Sequence, residues 1–351
     1  MRGEVNMIKT ILVVGTRWVG DSVIAQSLYK RIKQLNATAI IDVIAPKYLH
    51  SLIKRMPEIR DTIDIPLAHK QLRLRERRRI GLKLRNRYNQ AIILPRSLKA
   101  TLIPWFAEIP IRTGFRGEIR YGLINDMRQL NSDAMPRLVD RLVYLGQPKQ
   151  TPLPKNITPP CLIVKPANAQ ICMERLGVDN GLPIIILAPG AAYGPSKQWP
   201  ARYFAKLAEH YGNKGYQIWI LGSKKDQDIC CRITKMTNIP IHNLCGRTTL
   251  DDSIDLIAQA EQVVSNDSGL MHIAAAVGCS VVGIFGATPP EYALPISGRV
   301  RYSWANLSCS PCWQRTCCYG HYHCLTQIIP KEVISIMDLL ARHTEKRIET
   351  L

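Results

Sequence analysis

Residues 8–21 read IKTILVVGTRWVGD, a β-rich apolar run followed by a glycine turn. The apolar run, residues 8–14, has the length and composition of a buried strand. The turn spans residues 15–20, and residues 21–35 have the apolar periodicity of a helix. The turn is neither a P-loop, which needs Lys-Ser/Thr after its last glycine, nor a GxGxxG fingerprint. The order of strand, glycine turn and helix nevertheless predicts the start of a Rossmann-like α/β domain.

The same alternation continues along the chain and restarts once. Residues 40–44 and 91–94 are further buried-strand patterns, while residues 147–160 contain five prolines and suit an extended linker. Beyond the linker, strands are predicted at 184–188, 217–221, 262–265 and 280–285, with helices at 201–211, 226–236, 250–260, 269–277 and 330–348. We therefore predict an α/β protein of two Rossmann-like domains with parallel sheets, 1–155 and 156–351. The last helix, 330–348, is a candidate to pack back on the first domain.

The composition is that of a globular protein with polyanionic partners. The 351 residues (39.6 kDa) are 46% hydrophobic and 21% charged, which excludes disordered and collagen-like classes. No run reaches the roughly 18 uncharged apolar residues of a spanning helix. The N-terminus, whether translation starts at Met1 or Met7, does not resemble a signal peptide, so we expect a cytoplasmic protein. The net charge of +20 favours nucleic acid, an anionic membrane face or phosphorylated substrates as partners.

Asp21 lies where the first glycine turn meets its helix, at a place where open α/β sheets bind ligands. The neighbouring glycines permit close backbone approach, and the carboxylate could take a proton from a ligand. Asp is also a common N-cap, whose side chain accepts hydrogen bonds from the free N–H groups of the first helical turn. The local sequence leaves both interpretations of Asp21 open.

A second strand–helix junction, residues 264–272, reads VSNDSGLMH. The free N–H groups at the start of its helix form an anion site, which Ser268 and Gly269 allow a phosphate to approach. Asp267 would point towards sugar hydroxyls. His272 lies on the first helical turn, where it is either a ligand or a structural histidine. The clustering of these residue types favours a site for a phosphorylated sugar.

The loop at residues 188–200, APGAAYGPSKQWP, follows the first strand of the second half. Its single lysine, Lys197, could place a point charge on a phosphate. A surface lysine is the ordinary alternative. The two interpretations of Lys197 stay open until the loop is placed beside Asp267.

Basic residues concentrate at two places in the first half. Between Lys70 and Tyr88, nine Lys and Arg residues accompany a single acid, and apolar residues recur at spacings that could form one helix face. This basic run predicts either a contact with a membrane surface or polyanion, or a solvated helix face. Arg112, Arg116 and Arg120 form a second cluster, whose forked donors suit phosphate or carboxylate.

Five of the eleven cysteines crowd into one late segment that also contains His321 and His323. They are Cys309, Cys312, Cys317, Cys318 and Cys324. Their density resembles that of a zinc knuckle, but the spacing matches no standard finger and there is no second CxxC pair. Zinc binding and reduced cysteines in a packed loop both stay open. No activating group nearby points to a catalytic cysteine.

Taken together, these motifs resemble those of the bacterial lipopolysaccharide heptosyltransferases of glycosyltransferase family 9, over nearly the whole chain. In the first half the resemblance is carried by ILVVG (11–15), WVGD (18–21), IDV (41–43), RTG (112–114) and RYGL (120–123). In the second half it is carried by PGA (189–191), Lys197, GS and KD (222–226) and NDSGLMH (266–272). Each motif alone is weak, and the combination is specific.

The resemblance implies a GT-B architecture, in which two Rossmann-like domains face each other across a cleft and bind the acceptor and the nucleotide sugar. It implies an inverting transfer of L-glycero-D-manno-heptose from ADP-heptose to the first heptose of the lipopolysaccharide inner core. It implies no required cofactor and is compatible with stimulation by Mg²⁺. The acceptor carries phosphates and acidic sugars on an anionic leaflet, which implies a peripheral contact with the inner membrane and no role for nucleic acid.

The resemblance also implies roles for individual residues. Asp21 would be the general base that such a displacement needs at the acceptor hydroxyl. The residues implied for the donor are Lys197, Ser268, Gly269 and His272 at the ADP phosphates, Asp267 at the sugar, and Asp226 near the ribose. Ala191 and Ala192 stand where the heptosyltransferase I branch has a Thr-Thr pair, so backbone N–H groups would replace those hydroxyls. Arg112, Arg116 and Arg120 would bind the acceptor.

Two alternatives to this function stay open. The first is a related member of the family with a different acceptor, heptosyltransferase I or III. The second, from a different class, is a non-catalytic basic module that binds nucleic acid. The charge favours such a module, but RRM, zinc-finger and helix-turn-helix signatures are absent.

Overall fold

The computed structural model describes residues 9–66 and 71–348, and the side chains of the last helix as far as Arg342. The chain divides into two compact units, Met1–Pro160 and Cys161–Leu351. The division falls at the end of the proline-rich stretch, and residues 147–165 contain neither helix nor strand. Proline lacks an N–H donor and restricts the residue before it, which explains why neither element forms there.

The first unit contains one parallel sheet of six strands in the order β3-β2-β1-β4-β5-β6. The strands are β1 (Thr10–Val14), β2 (Ile40–Ala45), β3 (Asp61–Asp64), β4 (Gln90–Ile93), β5 (Ile111–Phe115) and β6 (Asp126–Arg128). The central strand β1 pairs with β2 on one side and β4 on the other, with Val14 in register with Ile44 and Ile93. Because helices cover both faces, these central strands are mostly apolar and are buried.

The first of the helices of this unit begins at the end of the glycine turn. The helices are α1 (Val19–Ile24), α2 (Gln26–Leu35), α3 (His50–Ile53), α4 (Leu74–Lys83), α5 (Leu98–Phe106) and α6 (Leu138–Gly146). The single helix predicted for 21–35 is wrong in two respects, because the helix starts two residues earlier and breaks at Ala25. Residues 21–35 contain no proline or glycine that would signal this break.

The second unit repeats the same winding with its own six-stranded parallel sheet, in the order β12-β11-β10-β7-β8-β9. Its strands are β7 (Ile184–Ala188), β8 (Gln217–Ile220), β9 (His242–Asn243), β10 (Gln262–Asn266), β11 (Ser280–Phe285) and β12 (Val300–Trp304). Its helices are α7 (Pro166–Leu176), α8 (Ala201–Gly212), α9 (Gln227–Lys235), α10 (Leu250–Ile257), α11 (Gly269–Ala276), α12 (Pro290–Ala293), α13 (His323–Thr326) and α14 (Pro330–Ile348). None of the helices that the structure describes is long and apolar enough to cross a membrane.

Helix α14 supplies part of the core of the second unit. Val333, Met337 and Leu340 are buried on α14 and pack in one apolar cluster with Trp199 and Phe204. This spacing places the three side chains on one helix face, as the apolar periodicity predicts. That α14 also reaches the first domain stays a prediction.

In each unit the strand order reverses at one place, between β1 and β4 in the first and between β7 and β10 in the second. Ligands of doubly wound sheets bind beyond the carboxyl ends of the strands at this switch point. The loops that follow β1 and β7, and the junctions that follow β4 and β10, are therefore the places to look for a site.

Candidate active site

Asn266, the last residue of β10, anchors the loop that follows β7. Its Oδ1 accepts a hydrogen bond from the backbone N–H of Trp199 at 3.0 Å, and its Nδ2 donates to the carbonyl of Pro189 at 2.7 Å. The indole N–H of Trp199 donates in turn to the carbonyl of Ile328 at 2.9 Å. All three side-chain bonds are buried, where an unmade bond would be costly. They fix both ends of the loop that carries Lys197.

Lys197 and Asp267 form an ion pair at the switch point of the second unit. The distance from Lys197 Nζ to Asp267 Oδ2 is 2.5 Å, and the two side chains are 12% and 5% exposed. The hydroxyl of Thr288, which follows β11, donates a hydrogen bond to the same oxygen. The ammonium also lies 4.9 Å from the centre of the Tyr193 ring. The interpretation of Lys197 as an ordinary surface lysine is therefore wrong.

The loop segment around Arg315 supports the Lys197 loop from outside. The backbone carbonyl of Arg315 accepts a hydrogen bond from the N–H of Ser196 at 3.1 Å. It lies so close to Gly194 that a Cβ there would be 2.5 Å from the carbonyl oxygen, and Gly194 has φ of +153°. The hydroxyl of Tyr193 donates to the carbonyl of Trp313 at 2.5 Å. The late cysteine-rich segment thus helps to shape the site.

His272 is buried on the first turn of α11, close to the ion pair. Burial lowers the pKa of its imidazole from 6.5 to about 4; the nearby Asp267 acts to raise it, and the nearby Lys197 to lower it. His272 is therefore neutral at pH 7, and it can hydrogen-bond a phosphate but cannot bring a charge to it.

The N-terminus of α11 has the features of an anion site. Ser268 is its N-cap in an extended conformation, and its side chain accepts no hydrogen bond from the helix. The Ser268 hydroxyl instead lies 3.1 Å from that of Ser265. The first N–H groups of α11, beginning at the partly exposed Gly269, point outward with the positive end of the helix dipole.

Asp226 lies beside the loop that follows β7. It ends a one-turn 3₁₀ helix, Lys224–Asp226, and its Oδ2 accepts hydrogen bonds from the N–H and hydroxyl of Ser223 at 2.9 and 2.6 Å. Its carboxylate packs so closely on Gly190 that a Cβ there would lie 2.5 Å from it. Of the two neighbouring alanines in that loop, Ala191 is buried and Ala192 is exposed.

Asp21 is not the N-cap of its helix. Helix α1 begins at Val19 with Trp18 as its N-cap, and the Trp18 side chain makes no capping hydrogen bond. Asp21 is therefore the third residue of the helix, half-buried in its first turn. The capping interpretation is wrong in this respect, and the role of Asp21 as a base stays a prediction.

Two of the three arginines predicted to bind the acceptor are occupied by backbone carbonyls. The guanidinium of Arg112 donates to Ile109 and Leu123 at 2.6 and 2.7 Å. Arg120 is fully buried and donates to Pro95 at 2.8 Å and to Phe115; burial lowers its pKa to about 10. These contacts give Arg112 and Arg120 a structural role, and their role at the acceptor stays a prediction. Arg116 is exposed, and its predicted role is unaffected.

Helix α4 covers only part of the basic run, and Lys70 lies outside the described residues. Arg77 is buried and donates to the carbonyls of Leu72 and Lys99 at 2.6 and 3.0 Å, so it contributes to stability and not to a surface. Arg75, Arg78 and Arg79 are exposed. Leu72 and Leu74 are each about half exposed beside them.

The late cysteines are free thiols. Among the residues that the structure describes, no group of three or more His, Cys, Asp or Glu side chains is placed to hold a metal ion. Cys317 Sγ is 4.0 Å from His321 Nδ1, and burial raises the pKa of the Cys324 thiol to about 11. Zinc binding and reduced cysteines in a packed loop therefore both stay open for this segment.

Analysis of the sequence missed three residues of this site: Asn266 as an anchor, Tyr193 and Thr288. Thr288 had a usable signal, because it follows the carboxyl end of the strand next to β10. The carboxyl ends of parallel strands lie at one edge of the sheet, so the position of Thr288 predicts a hydroxyl near Asp267. Asn266 and Tyr193 lie within motifs but have no local feature that reveals their long-range partners.

Two doubly wound units with these sheets have the GT-B architecture of glycosyltransferases. The family model "Glycosyltransferase family 9 (heptosyltransferase)" matches residues 77–323, and the chain belongs to this family. It is 39% identical over 340 residues to lipopolysaccharide heptosyltransferase 2 of Salmonella typhimurium, covering 94% of this chain and 98% of that protein. Lipooligosaccharide heptosyltransferase 2 of Haemophilus influenzae is 40% identical over 301 residues, 82% of this chain and 86% of that protein.

The solved structures agree with the sequence relatives. The structure of Escherichia coli ADP-heptose LPS heptosyltransferase II superposes with a TM-score of 0.85 at 36% identity, covering 96% of this chain and 99% of that one. A family 9 glycosyltransferase from Veillonella parvula superposes with a TM-score of 0.80 at 17% identity and shows the fold alone. The chain is thus a glycosyltransferase.

Proposed function

We propose that this chain transfers L-glycero-D-manno-heptose from ADP-heptose to the first heptose of the lipopolysaccharide inner core. The observation that carries the proposal is the buried Lys197–Asp267 pair at the switch point of the second unit. It places a cation for a diphosphate beside a carboxylate for sugar hydroxyls. Relatives named heptosyltransferase 2 match the chain over most of their length and support this acceptor.

The donor binds to the second unit in this proposal. Lys197 and the N-terminus of α11 at Ser268 and Gly269 stabilise the charge that develops on the leaving ADP, which is the main demand of the reaction. Asp267 binds hydroxyls of the heptose. The backbone of Ala191 and Ala192 contacts the phosphates, neutral His272 donates a hydrogen bond to them, and Asp226 lies near the ribose.

The acceptor hydroxyl is activated by Asp21 in this proposal. Asp21 takes the hydroxyl proton as the oxygen forms its bond to the anomeric carbon, while the bond from that carbon to ADP breaks. One displacement inverts the anomeric centre, so no covalent intermediate with the protein is needed. The proposal needs no resident cofactor, and Mg²⁺ would stimulate transfer only by screening the diphosphate. Chelation with EDTA should therefore slow transfer without abolishing it.

The first unit meets the membrane and the acceptor in this proposal, at the cytoplasmic face of the inner membrane. Helix α4 presents the exposed Arg75, Arg78 and Arg79 beside the half-exposed Leu72 and Leu74. Basic and apolar side chains side by side are what an anionic lipid surface attracts. Arg116 is the exposed arginine of the second cluster and binds an acidic group of the acceptor.

A truncated series of acceptors tests the function. We expect transfer from ADP-heptose to a lipopolysaccharide bearing one heptose, and none to acceptors bearing zero or two. Transfer to the acceptor with no heptose would instead identify the heptosyltransferase I activity, and transfer to the two-heptose acceptor the heptosyltransferase III activity. The nucleic-acid module is not favoured, because the family consists of glycosyltransferases.

A further inference from the structure

Thr288 makes an unusual contact for a loop threonine. It lies after β11, is only 3% exposed, and its hydroxyl donates to Oδ2 of Asp267. Lys197 donates to that same oxygen. Oδ2 thus accepts both bonds, and neither donor uses Oδ1. A hydroxyl is held against a carboxylate that already has a cation.

We propose that Thr288 is a positioning residue for Asp267, one that holds its carboxylate while Lys197 turns to the diphosphate of the donor. This inference rests on the proposed function. A diphosphate competes with Asp267 for the Lys197 ammonium, which carries three donors and sits on a flexible stem. When the ammonium turns away, a second anion stands beside a carboxylate that has lost its cation, and the two repel each other.

Thr288 counteracts this repulsion because its hydroxyl does not leave. A hydrogen bond to the charged form of a carboxylate favours that form and fixes its orientation. With Oδ2 held by Thr288, Oδ1 can accept a hydrogen bond from a hydroxyl of the sugar. His272, a titratable group near the pair, is neutral and cannot replace the cation. The predicted effect therefore concerns the sugar part of the donor and not the nucleotide.

Two variants separate the hydroxyl from the shape of the side chain. Thr288→Val keeps the branched volume and loses the donor, whereas Thr288→Ser keeps the donor. We expect Thr288→Val to weaken binding of ADP-heptose and to lower kcat/KM about ten- to hundredfold, the range of one hydrogen bond to a charged group. Thr288→Ser should stay within about threefold of the wild type in both measurements, and calorimetric affinity for ADP alone should stay within that range in both variants.

The outcomes divide as follows. Equal loss of ADP and ADP-heptose affinity in Thr288→Val, or a Thr288→Ser variant as impaired as Thr288→Val, would overturn the inference, because either shows a merely structural role. An unchanged Thr288→Val would overturn it as well. The wild type could also transfer heptose to no acceptor while Thr288→Val still lowers the affinity for ADP-heptose more than that for ADP. In that case the inference stands and the proposed transfer reaction fails.

Discussion

Nζ of Lys197 lies 2.5 Å from Oδ2 of Asp267, although 70 residues separate them in the sequence. The two side chains follow β7 and β10, the neighbouring strands at which the order of the sheet reverses. Because both side chains are largely buried, their mutual attraction is stronger than that of a surface pair. Removal of either partner would leave the other as an unpaired buried charge. A bound diphosphate must therefore compete with Asp267 for this lysine.

Replacing Lys197 by Ala should weaken ADP binding about ten- to hundredfold, since charge-assisted hydrogen bonds to the diphosphate are lost. Isothermal titration calorimetry with ADP measures the change. Lys206→Ala is the matched control, because Lys206 is exposed on α8 of the same unit. Equal ADP affinities in the two variants would make Lys197 a structural partner of Asp267 only.

Asp21→Asn should lower kcat by at least about a hundredfold, because the amide cannot take the acceptor proton. ADP affinity should be unchanged. Asp64→Asn, at an exposed position of β3, controls for the substitution itself. Near-normal turnover of Asp21→Asn would place the base elsewhere.

The buried imidazole of His272 should make stability depend on pH. Its pKa falls from 6.5 to about 4 on folding, so between these values the unfolded chain binds the extra proton. The free energy of unfolding therefore has its full value, as far as His272 is concerned, above pH 6.5. It falls by about 3 kcal/mol in total as pH decreases towards 4. Urea unfolding of the wild type and His272→Gln over this range measures it. The variant should show a shallower slope of unfolding free energy against pH, and identical slopes in the two proteins would contradict the prediction.

Removing exposed charge from α4 should weaken association with anionic vesicles. The triple variant replaces Arg75, Arg78 and Arg79 by Gln. Each replacement should remove about 1 kcal/mol of attraction to an anionic surface. Sedimentation with phosphatidylglycerol vesicles measures binding. The control replaces Lys206, Arg232 and Lys235, which are exposed in the second unit. If both triple variants bind alike, α4 is a solvated helix face.

Gly194→Ala should distort the loop that carries Lys197 and lower ADP affinity. The backbone φ of +153° disfavours a side chain, and the new Cβ would meet the Arg315 carbonyl at 2.5 Å. ADP titration of the variant measures the effect. Gly298→Ala is the control, because no heavy atom lies within 4 Å of a Cβ there. Wild-type affinity in Gly194→Ala would show that the loop adapts without cost.

The central strands of both sheets were predictable because they are continuous apolar runs. Strand β11 was predicted with its observed bounds, Ser280–Phe285, and β7 likewise. Strand β5 was missed because Arg112 and Gly114 interrupt its pattern, and β6 because three residues carry no periodicity. Edge strands gain their structure from the neighbouring strand, which a local pattern does not contain.

The site was predictable only in part, for a related reason. Lys197 and Asp267 were each singled out at a strand–loop junction, but whether they meet was left open, and the structure pairs them. The carbonyl contacts of Arg112 and Arg120 were missed because a local pattern does not show which carbonyls fold onto a guanidinium, as that of Pro95 does onto Arg120. An arginine that satisfies buried carbonyls has the same local sequence as one that binds a ligand.

The amide of Asn266 holds the Lys197 loop at Pro189 and at Trp199, so both ends of the loop are tethered before any nucleotide arrives. The conformational entropy of that segment is thus lost during folding and not on binding, which is how pre-organised loops gain affinity. A change at Asn266 should consequently raise the Kd for nucleotide although Asn266 itself contacts none.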